Sequence, residues 1–267
     1  MTRLKSDWIK ELDKTALGWN NTLKERTGLG FAELAACVSD NPLEKILQAA
    51  AEYKVYVVPI TSGEGIISTF SESVAAIVSA MGFDVSVTAK TDVDGIFEAH
   101  MNNADIIFMA DDARYIALNL NTGKAGDNNI ATAYGFSELL CRMAGEIEGR
   151  KTAVLGYGII GKLMAKYLSD KGADVDVYDK NKDLMHNVTK DGYGWIENAD
   201  ELKKYDYIAD GTCTGNWLSK EMLSENVLIC APGIPFSLDE EAQIALKGRY
   251  VHDLLEIGTA VMLGMAI

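Results

Sequence analysis

Apolar residues change their spacing along this chain, and each change marks an element. Ile9, Leu12, Ala16, Trp19 and Leu23 recur at helical intervals within residues 6–24. That predicts one amphipathic helix with Ser6 or Asp7 as its cap. Further helices are expected over Phe31 to Val38 and after Pro42. Short β-rich runs then appear at 55–60 (VYVVPI), 84–89 (DVSVTA) and 105–110 (DIIFMA), with helical patterns between them. Strands alternating with helices predict βαβ units on a parallel sheet. Residues 121–129, rich in Gly and Asn, read as a loop, and a helix is expected from Ile130 to Ala144.

The polar connector GEIEGRK (145–151) divides the pattern in two. Beyond it, strands are expected at 152–156, 174–179, 205–210, 227–231 and 250–255. The fold class is therefore α/β. A helical plus α/β domain (1–147) precedes a Rossmann-type domain with a doubly wound parallel sheet (148–267).

Charge narrows the partners. With 39 acidic residues against 25 basic ones, the net charge is −14. Such a surface repels phosphate backbones, which argues against nucleic acid. The first residues, MTRLKSDWIKELDK, are charged and unlike a signal peptide. No run of about 18 apolar residues predicts a membrane span. Cys37, Cys141, Cys213 and Cys230 have neither C-x-x-C nor zinc-finger spacing with the three histidines. Reduced thiols in a cytoplasmic protein, with no metal site, are the expectation.

The local motif VLGYGIIG, ending at Gly161, is weak by its glycines alone but stands in the strand–turn–helix context it requires. Gly156, Gly158 and Gly161 follow a strand and open a helix, with Tyr157, Ile159 and Ile160 between them. The first glycine permits the tight turn and the second lets a pyrophosphate approach the backbone. The third lets helix and strand pack closely. Asp179 ends the next strand, where a carboxylate accepts hydrogen bonds from a ribose 2′-hydroxyl and repels a 2′-phosphate. NAD is thus the expected cofactor, although Lys180 leaves room for a phosphate. The competing readings are a ligand-free glycine turn and Asp179 as a helix cap. Two later loops lie at strand ends of the same sheet, and their expected coenzyme contacts are Thr212, Cys213, Pro232 and Gly233. Ordinary turn chemistry explains their composition equally well.

In the first half, Thr61 and Ser62 precede glycines at an expected helix start, a place that binds anions or simply caps a helix. Asp111 and Asp112 follow a strand and suit an ammonium group; acids in a first helical turn are the plainer reading. Asn119, Asn128 and Asn129 are further polar readers or turn residues. A coenzyme domain facing polar loops points to hydride transfer. No histidine offers an evident acid–base partner, so amine oxidation is favoured over hydroxy-acid chemistry.

VPITSGEGIISTFSESVAAI, MADDARYIALNLNTGK, APGIP and IGTAVML together resemble the pyrrolysine synthase family. The first two segments are the specific ones. The resemblance implies an NAD-dependent dehydrogenase that ends pyrrolysine biosynthesis. Its reaction oxidises the terminal amine of L-lysine-Nε-(3R)-3-methyl-D-ornithine. The imine or aldehyde then closes onto the α-amine, with loss of ammonia and water, to give the pyrroline ring. It also implies a first helix that covers the substrate, with Leu4 close to it. Ser62 and Asp111 match the family's substrate-contacting serine and aspartate and become the candidate catalytic pair. Asn119 and Asn128 match polar loop positions. The chain departs from the family pattern at Leu118, in place of histidine, and at Glu256, in place of glycine. A homodimer fits such enzymes, among which dimers are common. Other NAD-dependent amino-acid dehydrogenases, a dipicolinate-synthase-like protein and a non-catalytic NAD sensor are the alternatives.

Overall fold

The first apolar stripe folds as two helices instead of one. In the computed structural model, which describes residues 4–267, α1 (Ser6–Ile9) and α2 (Leu12–Thr27) are separated at Lys10 and Glu11. Ile9, Leu12, Ala16 and Leu23 are still buried, and Lys10 and Glu11 are exposed, so the break sacrifices no apolar contact. Neither Ser6 nor Asp7 caps α1; Lys5 occupies that position, without a side-chain cap. Helix α2 stops at Gly28, whose positive φ of 78° forms a left-handed C-cap. Next come α3 (Phe31–Ser39) and α4 (Leu43–Glu52).

The expected alternation follows as β1 (Lys54–Val58), α5 (Phe70–Ala80), β2 (Asp84–Val87), α6 (Asp92–Met101) and β3 (Ile106–Ala110). Strand β1 runs parallel to both β2 and β3. The next two strands, β4 (Tyr115–Asn119) and β5 (Ala125–Asp127), are antiparallel additions, and β5 lies within residues 121–129, whose composition predicts a loop. Helix α7 (Asn128–Ala144) therefore starts ahead of Ile130. The sheet order is β2-β1-β3-β4-β5. Side chains alternate across it: Val58 and Ile107 join Ala99 of α6, with Leu118 packed against them.

Beyond α7 lie β6 (Lys151–Leu155), α8 (Ile159–Asp170), β7 (Asp174–Tyr178), α9 (Met185–Lys190), β8 (Gly194–Trp195), β9 (Tyr207–Asp210), β10 (Leu228–Cys230), α10 (Glu240–Ala245) and β11 (Tyr250–Val251). Their pairings are all parallel, in the order β11-β10-β9-β6-β7-β8. That is the doubly wound Rossmann arrangement. Strands buried on both faces need continuous apolar runs, which TAVL and LIC supply.

The chain divides into two compact units, but not at the connector. One unit comprises the chain up to Gly135 together with Leu254–Ile267; the other is Phe136–Asp253. The division falls inside α7, and the last helix, α11 (Glu256–Met265), belongs to the first unit. The reason is composition. Helix α11 is apolar almost all round and buried from Glu256 to Gly264, packed on α3, α5 and β5. No helix among the described residues is long and apolar enough to cross a membrane.

Gly126 of β5 marks how closely α11 approaches: a Cβ there would lie 2.3 Å from the Met262 carbonyl oxygen. Both partners are backbone, so nothing flexible yields. Gly126→Ala is expected to destabilise the first unit by about 1–3 kcal/mol, read as a lowered urea midpoint. An unchanged midpoint would contradict this packing.

Candidate functional site

In the second unit, three loops meet at the carboxyl ends of β6, β9 and β10. Gly156 leaves β6 at φ 80° and donates its N–H to Tyr178 O at 2.7 Å. Gly158 is the N-cap of α8; no side chain caps it, and a Cβ there would meet nothing within 4 Å. The first N–H groups of α8 thus stand without intrahelical acceptors beside open space. Gly161 has the opposite surroundings: a Cβ would fall 1.8 Å from Gly156 O. Ile159 is largely exposed and Ile160 half-buried. The open glycine, the uncapped helix start and the tight crossing suit the pyrophosphate of a dinucleotide.

Tyr157 and Asp179 work together. Tyr157 N–H donates to Asp179 Oδ2 at 2.7 Å, and Asn181 N–H donates to Oδ1 at 2.8 Å. Asp179 therefore shapes the glycine turn, which spacing alone does not reveal. Each carboxylate oxygen has a second lone-pair site, enough for a ribose hydroxyl. The Tyr157 hydroxyl donates to Asp191, and burial, then Asp191, push its pKa upward.

The other two loops touch each other. Thr212 donates its N–H and hydroxyl to Asp210 Oδ1 at 2.8 and 2.7 Å. A Cβ on Gly233 would lie 1.7 Å from Thr212 O. The first glycine joins them, since a Cβ on Gly156 would lie 3.2 Å from the Thr212 methyl carbon. Pro232 is half-buried beside Gly233, while Cys213 is exposed. The structure thus brings Gly156, Gly161, Thr212 and Gly233 together. It adds Asp210 and Gly211, which open the expected loop but are not among its expected contacts; their signal is an acid–glycine pair at the end of an apolar strand.

The first unit treats its candidates unequally. Ser62 lies in an exposed loop and does not open a helix, because α5 begins only at Phe70. Two carboxylates hold that loop. Thr61 donates its N–H and hydroxyl to Asp92 at 2.8 and 2.6 Å, and Glu64 N–H donates to Asp112 Oδ2 at 2.7 Å. Hydrogen bonds from Thr61 hold the Asp92 carboxyl below its usual range. Asp111 and Asp112 sit in the exposed turn between β3 and β4, not at a helix start. Asp111 Oδ1 closes that turn, accepting N–H groups of Ala113 and Arg114. Because β1 and β3 are parallel neighbours, Ser62, Asp111 and Asp112 share one sheet edge.

The asparagines lie apart from that edge. Asn119 is fully buried: its Nδ2 donates to Ala266 O at 2.9 Å, and its Oδ1 accepts N–H groups of Asn121 and Thr122. That makes it a brace between the β4–β5 turn and the end of α11. Asn128 is half-buried at the start of α7 and accepts from the Thr132 hydroxyl. Leu4 is half-buried ahead of α1. Trp8, Leu12, Thr15 and Glu256 border an open recess of about 310 Å³. Glu256 is 7% exposed, its Oε2 accepts the N–H groups of Leu254 and Leu255, and burial raises its pKa. Leu118 packs in the apolar cluster against α6, where a histidine would be poorly solvated. Among the described residues no group of three or more His, Cys, Asp or Glu is placed to hold a metal ion.

Comparison with known proteins places this geometry. Residues 9–126 match the family model described as "Pyrrolysine biosynthesis protein PylD, N-terminal domain". Pyrrolysine synthase of Methanosarcina barkeri is 37% identical over 211 residues, 79% of this chain and 80% of that one. This chain belongs to the pyrrolysine synthase family. The pyrrolysine synthase of Methanosarcina acetivorans is 35% identical over 79% of this chain and 81% of its own. Among solved structures, the bifunctional FolD dehydrogenase/cyclohydrolase of Campylobacter jejuni is similar at a TM-score of 0.55 and 15% identity, covering 96% of this chain and 94% of that one. At that identity the likeness shows the fold alone, that of a Rossmann-type dehydrogenase. The chain is thus a member of a pyrrolysine-biosynthesis enzyme family built on a dehydrogenase fold.

Within this pyrrolysine synthase family member, two substitutions check the assigned roles. Asn119→Ala leaves buried backbone groups unpaired and is expected to cost about 1–3 kcal/mol of stability in urea unfolding; a neutral result would remove its bracing role. Asp179→Ala frees the Tyr157 amide, whose hydrogen exchange should quicken before any ligand is added. Unchanged protection would mean that the turn holds itself.

Proposed function

We propose that this chain catalyses NAD-dependent oxidation of the terminal amine of L-lysine-Nε-(3R)-3-methyl-D-ornithine, followed by ring closure to the pyrroline of pyrrolysine. One observation carries the coenzyme half of the reading: the open Gly158 at the uncapped start of α8, with Asp179 at the end of β7. Family membership carries the substrate half. Asp179 favours NAD, because its carboxylate pairs with ribose hydroxyls and repels a 2′-phosphate.

NAD, when bound, supplies the hydride acceptor. What the chain's residues must do follows from the amine. A carbon gives up hydride readily only when its nitrogen lone pair is free to stabilise the developing iminium. An alkylamine of pKa about 10.4 must therefore lose a proton, which near pH 7 costs about 4–5 kcal/mol. Desolvation lowers that cost; a facing carboxylate raises it. Asp111 is thus assigned to anchoring an ammonium group that stays charged, and Ser62, on the neighbouring loop, to a neutral hydrogen bond. Oδ1 of Asp111 closes the turn, which leaves Oδ2 to face a ligand. After oxidation, the α-amine attacks the iminium carbon, ammonia leaves, and the carbon–nitrogen double bond of the ring remains. Water taken up at the imine on an aldehyde route is returned on closure.

The test follows the absorbance of reduced nicotinamide with lysyl-methylornithine and the purified chain. NADH formation together with the cyclised product is expected; absorbance growth with simple amino acids alone would overturn the substrate. Asp111→Asn keeps an oxygen for the turn and removes the charge. It should raise the KM for the amine substrate about tenfold or more and leave that for NAD unchanged. Ser62→Ala with an unaltered KM would remove Ser62 from the site.

A further inference from the structure

A buried carboxyl stands where the coenzyme-side loops cross. Asp210, the last residue of β9, is 1% exposed, and Leu155 of β6 is its partner in the strand register. Oδ1 accepts both hydrogen bonds from Thr212, whereas Oδ2 has no hydrogen-bond partner. The hydroxyl of Ser237, 2% exposed, likewise has none, and it lies beside this carboxyl. Backbone hydrogen bonds already tie the two loops together: Asn216 N–H donates to Phe236 O, and the N–H groups of Trp217 and Leu218 donate to Ser237 O. Tyr178 stacks on Trp217, and the Trp217 indole N–H donates to Thr212 Oγ1 at 3.4 Å. On the far side, Phe236 stacks on His252, which is hydrogen-bonded to Ala231 O.

No salt bridge reaches Asp210 among the described residues. The titratable side chains on the elements around it include Cys213 next to Thr212, Cys230 of β10 opposite Ala209 in the register, Tyr178 behind Trp217, and His252 behind Phe236. Burial lowers the His252 pKa. A bare carboxylate in this place would be a buried charge with no cation beside it, a costly state even with the Ser237 hydroxyl turned to donate to Oδ2. A single proton on Oδ2, directed at Ser237 Oγ, pairs the same two atoms without leaving a buried charge.

We propose that Asp210 is a positioning residue for the coenzyme: as a neutral acid it holds Thr212 with one oxygen and Ser237 with the other. The loops at the carboxyl ends of β6, β9 and β10 then keep the one arrangement that would receive the dinucleotide. This deepens the function proposed above and rests on its coenzyme assignment. Burial raises the Asp210 pKa, with Ser237 and Thr212 opposing it. The sign follows. Folding takes up a proton once pH exceeds the unfolded carboxyl value of about 3.9. Stability is therefore lost as pH rises from there to the folded value.

Asparagine reproduces the neutral acid, with an oxygen for Thr212 and an N–H for Ser237. Titration of the full chain with NAD should give Asp210→Asn a Kd within about twofold of wild type, and Asp210→Ala a Kd weaker by about tenfold or more. The KM for the amine substrate should not follow. If the asparagine variant binds as weakly as the alanine one, the neutral acid is wrong. Ser237→Ala serves if Asp210→Ala does not fold; it should weaken NAD several-fold, and unaltered binding overturns the assignment. In thermal unfolding from about pH 4 upward, wild type should lose stability relative to Asp210→Asn; parallel curves overturn the protonation. If wild type takes up no NAD, the proposed function fails, and the unfolding curves still decide the state of Asp210.

Discussion

The Rossmann unit depends on backbone running against backbone. Gly161 crosses Gly156, and Gly233 crosses Thr212, at separations where a single methyl group would overlap a carbonyl oxygen. Such contacts have no rotamer to adjust, so they fix where the loops after β6, β9 and β10 stand. Hydrogen bonding then completes what contact begins. The amide of Tyr157 is satisfied by Asp179, and that of Thr212 by Asp210. Gly158 is left open, with space and unspent N–H donors of α8 beside it.

Carboxylates hold the loops of both units. In the first, Asp92, Asp111, Asp112 and Asp127 all accept backbone N–H groups. A charged acceptor makes a shorter and stronger bond than a neutral one, and it needs no cation nearby. Part of the chain's net charge of −14 is therefore internal stapling. Paired aspartates then carry two roles at neighbouring positions. Asp112 holds the Ser62 loop through Glu64, while Asp111 closes its own turn with one oxygen.

Period and punctuation made much of this legible. The glycine motif, Asp179 and the alternating strands follow rules that act within about 30 residues. What escaped depends on distant contacts. Strand β5 is three residues long, and its Gly126 has meaning only against Met262 of α11. Asn119 looks like any turn asparagine until its amide is found on Ala266 O. The interruption at Lys10 and Glu11 leaves the apolar stripe intact, so periodicity cannot detect it. The compact units part inside α7 and not at the connector for a similar reason. A polar connector is conspicuous at 145–151, whereas the return of α11 to the first unit is a matter of topology.

That return sets an order on biosynthesis. The Rossmann unit is threaded into the first unit as an insertion, entered through α7 and left at Asp253. A ribosome releases all of its strands before α11 has been made. The usual sequence, in which the leading domain matures first, is thereby reversed: the leading sheet must wait, its α11-facing side uncovered, until the last helix emerges to complete it.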